Sequence, residues 1–162
     1  MLQFSFDDLQ GLIATMDGIE QILAREIAKR MQASVDAFQQ AVQAETPVGA
    51  TGGARGSITQ YLEGAPLDLT GVVTMGVLYG EPLEYGRAPG RMPPPAALEL
   101  WVTRKLGLVG KEMEQVAFLI ARAIGRRGTQ PGARMFERGY NNAHGAVERL
   151  WDDLPTVVVE GL

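Results

Sequence analysis

The side chains able to do chemistry are few, and their spacing does not assemble them. His144 is the single histidine and there is no cysteine. Disulfides, thiolate zinc sites, cysteine nucleophiles and iron–sulfur clusters are therefore excluded, and a metal site built on two histidines would need two chains. His144 follows Asn141-Asn142-Ala143 on a predicted helix, with no acid or nucleophile at useful spacing, and reads as a surface or capping residue. Asp152 and Asp153 are neighbours at a helix end; adjacent acids on one chain do not form a general acid–base pair, and they read as a solvated turn. Glu112 and Glu114 open a helix, where the helix dipole favours them. Val48 to Gly56 holds four glycines in nine residues, yet a phosphate-binding loop needs a preceding strand, a following helix and a terminal Lys-Ser/Thr. Here a helix precedes, a strand is expected to follow, and Arg55-Gly56-Ser57 stands in place of the lysine. Ser57 also lacks the Gly-x-Ser-x-Gly frame of a nucleophile elbow. These residues predict no catalytic centre, no cofactor and no metal, hence a protein that is not an enzyme.

The composition is that of a folded protein. With 162 residues, 46% hydrophobic and 21% charged, the chain has the length of one ordinary domain and enough apolar material for a core. Twenty glycines, about 12% against a usual 7%, cluster between helical stretches and mark loops. No run approaches the roughly 20 apolar residues of a membrane span, and Met1-Leu2-Gln3-Phe4 has no basic stretch followed by an apolar one. A soluble protein without an export signal is expected. The net charge of −4 hides an asymmetry: residues 1–81 carry 4 basic and 10 acidic side chains, whereas residues 87–138 carry 10 basic and 4 acidic. Such polarity suits a protein that stacks head to tail with its own copies or sits between unlike partners.

The elements that must position these residues follow from periodicity. Leu2, Phe4 and Phe6 alternate with polar neighbours, as in a short strand before an acidic turn at Asp7-Asp8. Ile19, Leu23, Ile27, Met31, Val35, Phe38 and Val42 recur at steps of three and four, one stripe of a long helix. Asp17 and Glu20 resemble a capping box at its start, and Pro47 disfavours helix at Thr46. That gives about 28 residues and about 42 Å, longer than one small core requires, so part of the stripe is expected to meet a neighbouring chain. Residues 57–63 and 68–79 read as an antiparallel hairpin turning at Gly64-Ala65-Pro66. The Gly- and Pro-rich stretch 80–95 reads as an extended arm. Further helices are expected over 95–106, stopping at Gly107, over 112–124, stopping at Gly125, and over 133–150, with a last strand at Val157-Val158-Val159. The predicted architecture is α+β: a small antiparallel sheet packed with a long N-terminal helix and two to three C-terminal helices. It is read as a single domain, 1–162, with loops or arms at 46–57, 80–95 and 125–133.

Thr46-Pro47-Val48, Thr51-Gly52 and Arg55-Gly56-Ser57-Ile58, at the junction of a long helix and a hairpin, resemble the signature of the tailed-phage tail-component family, whose members act as neck or tail completion proteins in head-to-tail joining. Leu83-Glu84-Tyr85-Gly86-Arg87 resembles that family's Glu-Tyr-Gly segment. Met92-Pro93-Pro94, Leu98, Trp101-Val102, Arg104-Lys105-Leu106-Gly107, Ala121-Arg122-Ala123-Ile124, Arg126-Arg127-Gly128-Thr129 and Met135-Phe136 resemble the C-terminal half of one branch. The likeness covers roughly residues 20–140, and it lies in the order and spacing of the pieces. Gly49-Ala50 stands where the pattern has a single, often charged, residue, and Ala54 where it has a larger aliphatic one.

The resemblance implies a virion structural protein without enzymatic activity, a homo-oligomeric ring of six subunits at the joint between head and tail. It implies neighbouring head-completion and tail-tube proteins as partners, genomic DNA passing through the channel without specific binding, no membrane, and assembly in the host cytoplasm. The interface candidates on this reading are Arg55, Ser57, Tyr85, Arg87, Arg91, Arg126, Arg127, Thr129, Arg134 and Phe136. A rival reading, a nucleic-acid-binding regulator using the basic segment 87–138, lacks a recognition motif and conflicts with a pI near 5.0.

Overall fold

A computed structural model describes residues 6–129 and 131–160. The fold is α+β. In chain order it comprises α1 (Phe6–Glu45), α2 (Gly53–Gly56), a hairpin of β1 (Ile58–Ala65) and β2 (Asp68–Met75), α3 (Gly80–Tyr85), α4 (Ala96–Leu106), α5 (Gly110–Arg127), α6 (Met135–Arg149) and α7 (Leu154–Glu160). The chain divides into two compact units: one built from residues up to Gln39, Gln60–Val73 and from Asn142 onward, the other from Gln40–Thr59 and Thr74–Asn141.

The long helix is 40 residues, a rod of about 60 Å, and it starts earlier than predicted. The alternation at residues 2–4 lies outside the described residues, while Phe6 and the acids after it are already helical. Asp17 and Glu20 do not cap anything, because the apolar period continues N-terminal to them through Ile13 and Met16. Gly11 and Gly18 each cost roughly 1 kcal/mol in a helix interior without breaking it. At the other end Thr46 is 1% exposed, and its hydroxyl donates to the Val42 carbonyl at 2.6 Å, closing the helix before Pro47.

In the first unit the hairpin packs on α1. A Cβ on Gly71 would lie 2.4 Å from Cγ1 of Val35, so only glycine permits this approach, and Gln60 of β1 donates to the Asp36 carboxylate at 2.9 Å. The turn falls at Pro66-Leu67, two residues later than predicted, since Gly64 adopts φ +112° inside β1 and its Cβ would strike the Asp68 carbonyl. β2 ends at Met75 rather than at 79. The C-terminal segment is strapped to α1: Arg30 donates to the Leu150 carbonyl and pairs with Asp153 at 2.7 Å, and the Trp151 indole N–H donates to the Ser34 hydroxyl at 3.2 Å. Residues 157–159 are helical, within α7, and not the expected strand. As a helix the segment satisfies its main chain internally, the Val157 N–H donating to the Asp153 carbonyl at 3.1 Å.

The second unit has its core at Val42, Ile58, Val102, Ala117, Ala121 and Met135, all buried. Ala117 and Ala121, one turn apart on α5, let α4 pack closely. α4 stops at Gly107 (φ 71°), as predicted, with the Gly107 N–H on the Thr103 carbonyl at 3.0 Å. α5 does not stop at Gly125 but runs to Arg127, with Gly128 (φ 73°) at its end. Gly125 serves a different purpose. Its missing side chain makes room for Met92, whose atoms would lie 3.1–3.2 Å from a Cβ there, and its carbonyl accepts the Gly90 N–H at 2.8 Å. Gly139 likewise lets α6 cross the end of α1, a Cβ there falling 2.8 Å from the Val42 main chain.

Candidate functional site

The Gly-rich loop after α1 is held by its own polar side chains. Arg55, on α2, donates from Nη2 to the Thr46 carbonyl at 2.8 Å and the Ala44 carbonyl at 3.4 Å. A guanidinium thus closes the carbonyls that α1 leaves open at its C-terminus, where the helix dipole favours a cation. Ser57 donates to the Ala54 carbonyl at 2.8 Å, and Gly52 supplies the left-handed conformation (φ 69°) that starts α2. The structure therefore places both candidates on the inside of the loop.

The second cluster joins segments far apart in sequence. Gly80–Tyr85, predicted to be extended, forms α3, and Glu84 on it is 6% exposed. Its carboxylate accepts the main-chain N–H groups of Phe136 (3.0 Å) and Glu137 (3.4 Å) in the first turn of α6. Its own carbonyl accepts the Arg134 N–H at 2.9 Å, and the Leu83 carbonyl accepts that of Ala133 at 2.7 Å. Arg87 and Thr129 exchange main-chain bonds in both directions, at 2.8 and 3.4 Å. Gly128 and Gly132 permit this: Cβ atoms there would lie 2.0 Å from the Arg87 carbonyl oxygen and 2.2 Å from that of Glu84. Arg134 adopts φ 49°, alone among the described non-glycine residues in having a positive φ, and pairs with Glu137 at 3.3 Å.

Of the remaining candidates, Tyr85 ends α3 and is 70% exposed. The Arg87 side chain donates to the Arg91 carbonyl, and both arginines line a cleft of about 490 Å³ with Met92 and Pro93–Pro95. Arg126 and Arg127 occupy the exposed last turn of α5, not a loop. The structure brings Arg87, Thr129, Arg134 and Phe136 together around α3, and Arg55 with Ser57 around α2. Glu84, quoted only as part of the Glu-Tyr-Gly resemblance and not among the interface candidates, is the residue that organises the first group. The sequence reading passed over a pairing of His144 with Glu148, one turn on, at 3.4 Å, and the engagement of Asp153 by Arg30, which its solvated-turn assignment did not include.

Between these two clusters lies an open apolar groove of about 690 Å³, whose walls include Val48, Tyr79, Leu98, Leu100, Trp101 and Pro131. Val48 is 52% and Trp101 38% exposed. Arg104 on α4 donates to the Ala50 carbonyl at 2.7 Å, and since Ala50 lines the groove, that guanidinium sits at its rim. The lining residues with polar side chains are Thr51, Tyr79 and Thr129. Among the described residues no group of three or more His, Cys, Asp or Glu is placed to hold a metal ion, and no helix is long and apolar enough to cross a membrane. No family model, curated protein or solved structure matches this chain.

Proposed function

We propose that this chain is a virion structural protein of a tailed phage, one of six subunits of a ring at the joint between head and tail, in the role of a neck or tail completion protein. The observation that carries the reading is the mutual locking of the segments that resemble that family. Residues 46–57, 83–87 and 128–136 lie in one compact unit, and their characteristic residues are spent on fixing one another: Arg55 on Thr46, Glu84 on Phe136, Arg87 on Thr129. What this scaffold leaves on the surface is an apolar groove, suited to a protein neighbour rather than to a reaction.

Several basic side chains of 87–138 also have partners within the subunit. Arg104 holds the Ala50 carbonyl, Arg134 pairs with Glu137, and Arg138 pairs with Glu45 at 3.1 Å. This supports docking to the adjoining head-completion and tail-tube layers over a grip on phosphate, which would oppose DNA passing through the channel. Deleting the gene from the phage that carries it tests the proposal. Filled heads and separate, complete tails are expected; particles that join and infect normally would contradict it.

A further inference from the structure

Among the described residues, one helix face and one groove are exposed and apolar, and the sequence segments that supply them differ in charge. Ile13 and Met16 are 58% and 60% exposed and, three residues apart on α1, share one face. The surrounding segment 6–20 carries four acids, Asp7, Asp8, Asp17 and Glu20, and no basic residue. The groove of the second unit exposes Leu100 and Trp101 of α4 at 49% and 38%, with Arg104 at its rim and Lys105 following it in sequence. Residues 96–134, which supply much of its lining, hold seven basic and three acidic side chains. An amphipathic helix laid into an apolar groove is a recurrent mode of recognition, and opposite charges at the edges set partner and orientation.

From this we infer that the N-terminal turns of α1 in one copy dock in the groove beside α4 of a second copy. The contact is heterologous, so each copy uses its helix on one neighbour and its groove on the other, an arrangement that gives a ring where the rotation between copies closes. The inference deepens the ring reading and names the surfaces that would form it.

The absence of cysteine from the sequence makes a clean test available. Met16→Cys and Leu100→Cys variants, mixed and mildly oxidised, are expected to give a disulfide-linked dimer that neither variant gives alone. Adding Asp17→Lys and Glu20→Lys to the first should slow cross-linking about tenfold, as loss of charge steering does, and adding Arg104→Glu and Lys105→Glu to the second should restore it. No mixed dimer at the highest soluble concentration, a Met16→Cys dimer formed equally well on its own, or a small molecule occupying the groove in the purified protein would overturn the inference. If the cross-link forms but virion maps place the protein elsewhere, the head-to-tail contact stands and the phage-joint reading falls. If the protein sits at the joint but does not cross-link, the ring uses other surfaces and this inference alone falls.

Discussion

The carboxylate of Glu84 caps a helix that begins 51 residues later, accepting the main-chain N–H of Phe136 at 3.0 Å. A buried anion there satisfies two of the donors that α6 leaves open and lies at the positive end of its dipole. Replacement by alanine leaves those N–H groups without their acceptor. Glu84→Ala is expected to lose about 2 kcal/mol of unfolding free energy and Glu84→Gln about 1 kcal/mol, since the amide keeps an acceptor but not the charge. Urea unfolding of both variants measures this, and a Glu84→Ala protein as stable as the parent would show that the cap is dispensable.

Glycines in this chain divide by what lies behind them. Gly128→Ala and Gly132→Ala would drive a Cβ into main-chain atoms at 2.0 and 2.2 Å, and each is expected to destabilise by about 3 kcal/mol. Gly49→Ala, with nothing within 4 Å, should stay within about 0.5 kcal/mol of the parent. Thermal melts of the three separate the two cases.

That division also explains what was legible in the sequence. The stripe from Ile19 to Val42, the stop at Gly107 and the β-rich hairpin are local patterns, and the structure keeps them. Gly125 looked the same as Gly107 in sequence but sits inside α5, because its function is to admit Met92 from another segment. Asp17 and Glu20 imitate a helix start, and only the continued period through Ile13 and Met16 shows otherwise. Glu84 and the groove were invisible for the same reason as Gly125: the Glu84–Phe136 and Arg87–Thr129 bonds join residues that no window of local pattern contains. The resemblance of Glu84-Tyr85-Gly86 to the family's Glu-Tyr-Gly segment was the sign available for Glu84.

Arg30 ties the C-terminal segment to α1. Its side chain, 12% exposed, pairs with Glu26 at 3.6 Å and Asp153 at 2.7 Å. Arg30→Met removes these bonds and leaves Glu26 buried without its cation, so a loss of about 2 kcal/mol is expected. Amide exchange should accelerate selectively over residues 150–160; uniform protection there would mean the strap does not depend on Arg30.

Arg126 and Arg127 end α5, where cations favour the helix dipole. Reversal of both to Glu therefore costs stability, about 1 kcal/mol, but both side chains are exposed and the subunit should remain folded by circular dichroism. If the proposed role at a phage head-to-tail joint holds, the same double variant gives full heads and separate tails. Joined, infectious particles would show that these arginines do not dock the adjoining layer.

The central claim is that copies of this chain form a closed ring at the head-to-tail joint. A cryo-electron microscopy map of the intact virion, at a resolution that traces α1 and α4, tests it most directly. The account predicts six copies between head and tail tube, with α1 of each subunit against the α4 groove of the next. Copies found singly, within the capsid shell or not at all in the particle would contradict it.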